Sequence, residues 1–237
     1  MTQRDASTPP AVLPVSRTKA EAKRFYDRIS RIYGWVTGAF ERKHGEYALE
    51  LLSIADGETA LEIGTGSGHC FEQMVRLVGE GGSCHGVDTS TGMLDVTRDR
   101  LRRSGLASGA GLCCADAARL PFLDVSFDAI LIAFTLELFD TPEIPQVLQE
   151  CMRVLKPGGR IAIVSLSREG KATTAVRLYE WAHRKWPQFA DCRPIYAERS
   201  MTGCGYDIAS KSRARMATLP LEIVLAKKPV STAARKF

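Results

Sequence analysis

Hydrophobic positions change their period near Thr59, and the change divides the chain. From Lys19 to Ile32 they fall on one helical face, with Phe25, Ile29 and Ile32 aligned; Glu41 to Ser53 repeats the pattern with Ala48, Leu49 and Leu52 inward. Beyond Thr59, short apolar runs alternate with amphipathic stretches. The runs predict strands at Ala60–Ile63, Ser83–Val87, Gly111–Cys114, Phe127–Ala133 and Arg160–Ser165, with helices near His69–Val78, Gly92–Ser104 and Pro142–Val154. Lys156-Pro157-Gly158-Gly159 stops the last of these helices and turns the chain into the fifth strand. Strand and helix in alternation mark an α/β fold, a parallel sheet with crossover helices. After Thr173 a helix carries Val176, Leu178, Tyr179, Trp181 and Ala182 and ends before Pro187. A shorter one spans Pro194 to about Thr202, and Tyr206–Ile208 and Leu221–Ala226 are closing strands, the last antiparallel in a mixed sheet.

Composition fits one domain: 237 residues, 45% hydrophobic and 25% charged, are enough to bury a core without staples. Residues 1–16 read as a disordered tail and 17–237 as the domain: helices over 17–55, the alternating core over 56–168, and further helices and closing strands over 169–237. The first residues lack the apolar stretch of a signal peptide, and no run of about eighteen apolar residues predicts a membrane span. Seven cysteines without C-x-x-C spacing suit free thiols in a reducing cytoplasm and predict no metal site. The net charge of +5 is uneven, with fourteen Lys/Arg against six Asp/Glu from Arg168 to the end. No aromatic-interleaved stripe accompanies it, so a solvated basic face is expected and no nucleic-acid partner; attraction to anionic lipid stays open.

Chemistry concentrates at Ala60-Leu61-Glu62-Ile63-Gly64-Thr65-Gly66-Ser67-Gly68, a strand running into a glycine-rich turn and then a helix. Such a turn brings backbone close to a ligand, and the helix start offers free N–H groups. Glu62 decides the ligand's charge. A pyrophosphate would be repelled by a carboxylate so near, whereas a cationic amino-acid or sulfonium end would be attracted. S-adenosylmethionine has that end. The dinucleotide fingerprint needs a third glycine where His69 stands, which disfavours an NAD-linked oxidoreductase.

Two further acids follow. Asp88 ends the second strand and can accept ribose hydroxyls; the other reading is a helix cap, a role Thr89, Ser90 and Thr91 also offer. Met93 either packs on adenine or joins the core. Asp116, past the third strand, either accepts the adenine amine, with the Ala117 amide beside the ring, or forms a turn.

These residues, with Leu120-Pro121-Phe122-Leu123-Asp124-Val125-Ser126-Phe127-Asp128 and Arg153-Val154-Leu155-Lys156-Pro157-Gly158-Gly159, resemble class I S-adenosylmethionine-dependent methyltransferases. Within that class the chain is similar to the ubiquinone/menaquinone biosynthesis C-methyltransferases over roughly Phe25 to Ile163, and Tyr26-Asp27-Arg28-Ile29-Ser30 matches the start of their N-terminal signature. The resemblance implies a Rossmann-like seven-stranded mixed sheet with the last strand antiparallel and an N-terminal helical lid. It implies Glu62, Gly64 and Gly66 at the methionine end, Asp88 at the ribose, Asp116 at the adenine and Tyr26 in the lid over the sulfonium; Thr65, Gly68, Thr89, Met93, Ala117 and Phe134 are expected to join them in the cofactor site.

Two departures bear on the acceptor. Where that family has Phe-Gly-Leu-Arg-Asn, this chain has Phe134-Thr135-Leu136-Glu137-Leu138, and Ser165-Leu166-Ser167 replaces the usual Glu-x-Ser. A reversed charge in an acceptor pocket points to a different acceptor. Glu137 is then either a general base or a helix-initiating surface acid. His183 and Tyr196 either line the acceptor pocket or pack, and Tyr179, Trp181 and Trp186 either cap an apolar acceptor or fill the core. The expected function is methyl transfer to a small apolar or aromatic, quinol-like acceptor by a cytoplasmic monomer or homodimer. The alternatives are a thiol, amine or phospholipid acceptor, or cofactor binding without turnover.

Overall fold

The computed structural model describes residues 12–15, 17–36, 38–170, 174–185 and 192–230. Two helices, α1 (Lys19–Val36) and α2 (Gly38–Leu52), precede the alternating part. There β1 (Thr59–Ile63), β2 (Ser83–Asp88), β3 (Ala110–Cys114), β4 (Phe127–Ala133) and β5 (Leu155–Leu166) alternate with α3 (His69–Val78), α4 (Thr91–Arg103) and α5 (Ile144–Val154). Helices α6 (Thr174–Lys185) and α7 (Ala197–Gly203) lead to β6 (Asp207–Met216) and β7 (Leu219–Lys227). The seven strands lie in the order β3-β2-β1-β4-β5-β7-β6. Strands β1 to β5 pair in parallel and β7 runs antiparallel between β5 and β6.

Chain reversal in strand order between β1 and β4 places a crevice at the carboxyl ends of the central strands, where open α/β sheets bind ligands. Two cores hold the frame. One gathers Ile144, Val147, Leu148, Cys151 and Val154 of α5 with Met201 of α7. The other gathers Ala48, Leu49 and Leu52 of α2 with Phe71, Met74 and Val78 of α3. The α5 residues recur at helical spacing, and Pro145 stands in the first turn, where its missing N–H costs nothing.

Expected and observed elements agree in order and kind, with differences at β5 and the closing strands: β5 begins at Leu155, so Lys156-Pro157-Gly158-Gly159, expected as a turn, lies within it. Strand β6 extends through Ser210, Lys211, Ser212, Arg213 and Arg215, far beyond the expected Tyr206–Ile208. It is an edge strand, so its polar side chains face water and leave no apolar signal to read. Residues 12–15, expected within a tail, lie against the body: Val12 packs on the first core, and Arg193 donates to the Leu13 carbonyl at 2.9 Å. Trp186 lies outside the described residues. All seven cysteines are free thiols. Among the described residues no helix is long and apolar enough to cross a membrane.

Candidate active site

A cavity of about 400 Å³ opens at the carboxyl ends of β1, β2 and β4 and runs beneath the start of α1. Its floor is the glycine turn. Gly64 donates its N–H to the Val87 carbonyl at 2.7 Å, and its φ of +77° belongs to the left-handed region. A Cβ there would run into the Thr135 side chain, so glycine serves both conformation and space. Gly68, with φ of +73°, lies against Thr97 of α4, whose hydroxyl also reaches Thr65 Oγ1 and the Gly66 carbonyl at 3.4 Å each. Helix α4 thereby fixes the turn from behind.

Six carboxylate residues line this cavity, and three of them, Glu62, Asp88 and Asp116, stand at or just past the ends of β1, β2 and β3. Glu62 is 3% exposed, and its Oε2 has no hydrogen-bond partner among the described residues. Burial, reinforced by the Asp88 charge, pushes its carboxyl well above the usual carboxylate range. Asp88 accepts from Ser90 N at 2.8 Å and Gly66 N at 3.3 Å. Burial raises its carboxyl too, against those backbone bonds. The cap of α4 is Ser90, whose hydroxyl accepts from Met93 N at 3.1 Å. Asp88 therefore stands at the cavity without being the cap. Asp116 does form a turn, accepting from Ala118 N at 3.0 Å through Oδ1, while its Oδ2 takes Lys19 Nζ at 2.7 Å.

Tyr26, Thr65, Thr89, Met93, Ala117 and Phe134 also line the cavity, with Met93 2% and Ala117 2% exposed. Phe134 holds φ of +52°, a conformation unusual for an aromatic residue, directly after β4. Among the described residues no cluster able to hold a metal ion is found.

Residues 60–159 match the family model described as "Methyltransferase domain". That stretch, which holds the glycine turn and the first four strands, is what the chain shares with methyltransferase domains. The ubiquinone/menaquinone biosynthesis C-methyltransferase of Azotobacter vinelandii is 38% identical over 137 residues, which cover 58% of this chain and 53% of that protein. The chain thus spans about half the length of the curated relatives it matches. Among solved structures, the [4+2]-cyclase SpnF superposes with a TM-score of 0.75 at 18% identity, covering 94% of this chain and 100% of its own. The N-methyltransferase NodS from Bradyrhizobium japonicum, in complex with S-adenosyl-L-homocysteine, gives 0.65 at 18% identity, covering 86% and 98%. At such identity these neighbours speak for the fold alone.

The residues present fit S-adenosylmethionine, the ligand to which the sequence points. The unpartnered Glu62 oxygen suits a cationic ligand end, the Gly64 cradle admits no side chain, and 400 Å³ is room for a nucleoside-sized molecule.

The acceptor-side expectations need correction. Glu137 lies in a single helical turn, Leu136–Leu138, but is 0% exposed and does not line the cavity. Its Oε1 accepts from Leu166 N at 3.2 Å, tying the turn after β4 to the end of β5. It is neither a surface acid nor a base facing the cavity. His183 is 3% exposed, with Nε2 3.5 Å from the Pro14 carbonyl, and it too is absent from the cavity wall, as is Tyr196, whose ring lies under the Arg199 guanidinium. Trp181 is 44% exposed and caps nothing there.

Three residues escaped the sequence reading. Asp27 of α1 accepts from Ser90 Oγ at 2.6 Å and Gly92 N at 3.0 Å, locking the lid helix to the start of α4. Lys19 bridges Asp116 and Glu143 at 2.7 Å each. Arg193 is fully buried and donates to the Leu13 and Phe139 carbonyls and to Thr141 Oγ1. Only Asp27 carried a signal, through the Tyr26-Asp27-Arg28 match.

Proposed function

We propose that the protein is an S-adenosylmethionine-dependent methyltransferase acting on a small apolar or aromatic acceptor of quinol type, in the cytoplasm. The observation that carries this reading is the convergence of Glu62, Asp88 and Asp116 on one cavity floored by the glycine turn. The cofactor supplies a methyl carbon on a sulfonium, already bonded to a good leaving group, so the protein's task is alignment. The Gly64–Gly68 turn and the three carboxylates hold the ends of the ligand, while Tyr26 and Phe134 wall the space between them and keep water out.

The acceptor would lie between the turn after β4 and the start of α1, among Val15, Ala22, Leu138 and Phe139. Those side chains favour an apolar molecule. A carbon or oxygen nucleophile must lose a proton, and Asp140 is the carboxylate on this wall placed to take it. Its Oδ1 is held by Val15 N at 3.3 Å and Thr141 N at 2.9 Å. Similarity to the quinone-biosynthesis enzyme supports C-methylation, while Glu137 at the position of that family's arginine supports a different ring or substituent.

The test is label transfer from S-adenosylmethionine to a panel of reduced quinols, phenols, thiols and amines, with the product's methylated atom fixed by NMR. Labelled quinol or phenol is expected. Label confined to thiols or amines would refute the acceptor class, and tight cofactor binding without turnover on any acceptor would refute the enzyme.

A further inference from the structure

Helix α6 has two faces of different character. Val176 and His183, each 3% exposed, point inward, and Tyr179 donates its hydroxyl to the Cys192 carbonyl at 2.8 Å. Outward, Arg177, Leu178, Trp181 and Lys185 share one face at helical spacing. Leu178 is 63% and Trp181 44% exposed, and the Lys185 ammonium lies 5.4 Å from the Trp181 ring centroid. Leu178 and Trp181 thus stand exposed within one turn of each other. Nothing in the proposed chemistry uses them.

We propose that this face of α6 docks on an anionic lipid surface. Two bulky apolar side chains flanked by cations, on a helix whose other face is anchored to the body, have the composition of a helix lying in the headgroup plane. Charge chooses the partner: α6 carries Arg177, Arg184 and Lys185 against a single acid, Glu180, which is paired with Arg168, and this balance draws the helix to negative lipid and away from a basic protein. Trp181 is suited to the boundary, its ring apolar and its N–H polar. The helix is too short and too charged to span, so the contact is peripheral and reversible. His183, on the inner face, touches the Pro14 carbonyl, one residue from cavity-lining Val15. If the acceptor is apolar, as the preceding reading holds, docking sets the cavity's N-terminal wall beside the phase in which such a molecule dissolves. The surface itself does not depend on that reading.

The full chain is to be floated with vesicles of equal parts phosphatidylglycerol and phosphatidylcholine, and with vesicles of phosphatidylcholine alone. Binding to the anionic vesicles is expected, falling as salt rises, with a blue shift of tryptophan fluorescence. The double variant Leu178→Ser/Trp181→Ser and the charge-reversal variant Arg177→Glu/Lys185→Glu should each weaken it by roughly tenfold or more. Calorimetric affinity for S-adenosylhomocysteine, equal in parent and variants, reports that the variants fold. Equal flotation of variants and parent would overturn the proposal. So would competition by free glycerol phosphate, which would show a simple anion site. Loss of duplex-DNA binding or of self-association in the same variants, without vesicle binding by the parent, would assign the face to another partner and overturn it as well.

Discussion

Replacing Glu62 by glutamine should stabilise the ligand-free protein while weakening cofactor binding. Glu62 is buried, its Oε2 is unpartnered among the described residues, and Asp88 adds a second negative charge. Both effects favour the protonated carboxyl. Its folded value lies well above the ordinary carboxylate value of 4.5, so as pH rises the unfolded chain releases this proton first. The favourable contribution is therefore full below about 4.5 and declines as pH climbs through the raised folded value. Above both, each unit of difference costs about 1.4 kcal/mol. Glutamine has no charge to desolvate. Allowing for imperfect partners for its amide, Glu62→Gln should gain about 1–3 kcal/mol at neutral pH. For a chain of this size each kcal/mol raises Tm by about 2–4 °C. The gain should shrink toward acid pH, where the parent's carboxyl is neutral as well. Binding moves the other way: a cationic ligand end loses a charged acceptor, about 1.5–3 kcal/mol or roughly 10–150-fold in Kd. Calorimetry in buffers of different ionisation enthalpy should also show the parent releasing protons on binding and the variant not. A variant no more stable at neutral pH than at acid pH, relative to parent, would refute the reasoning, as would proton release equal in both.

Asp88→Ala should weaken cofactor binding by about 1–3 kcal/mol with the fold retained, since Ser90 rather than Asp88 caps α4; titration calorimetry with thermal melts checks both. Asp140→Asn should lower the maximal rate by about 10²–10⁴ with cofactor affinity unchanged, as steady-state rates and titration calorimetry would show. Glu137→Gln should leave the maximal rate nearly unchanged and show itself in thermal melts, because the carboxyl accepts from Leu166 N rather than facing an acceptor. Glu72 offers an acid-stability test: burial alone would raise its carboxyl, but hydrogen bonds from Ser104, Arg76 and Arg100 bring it down to about 2 from 4.5. A lowered carboxylate stabilises above 4.5 and loses that contribution as pH falls toward about 2, so Glu72→Gln should flatten unfolding curves in that window.

The cofactor half of the molecule was open to reading because local pattern and ligand chemistry coincide there. Strands β1 and β4 are largely buried and read as mostly apolar runs, and the carboxyl ends of β1, β2 and β4 bring Glu62, Asp88 and, one residue past β4, Phe134 to the cavity. A strand end in a parallel sheet has only one place to go. Position along the chain therefore carried position in space, and the glycine turn with three acids could be assigned before any fold was known. Edge strand β6 is the counterexample: with one face in water and alternating Lys, Ser and Arg, its ten residues carried no apolar period.

The acceptor half was not legible, because it is assembled from segments with no shared pattern. Leu13, Phe139, Thr141 and Arg193 meet only through the buried guanidinium that bonds to all three of the others, across as many as 180 positions of sequence. An arginine beside Pro194 in a loop gives no sign that it will be fully buried. Glu137 shows the same difficulty from the other side. Matching it to the quinone enzymes' arginine located the residue, but not the direction of its side chain, which turns away from the cavity toward β5. Nor did the match show what stands nearby. Arg193 is held below the usual arginine range by its burial, and the charges that oppose this are Asp140 and Glu137. The cation missing at position 137 has thus a counterpart supplied from the segment before α7, next to the same turn. Whether two sites differ in charge has to be judged from the side chains that meet behind the cavity wall as well, and there the reversal at one aligned position is accompanied by an opposite charge that the alignment does not contain.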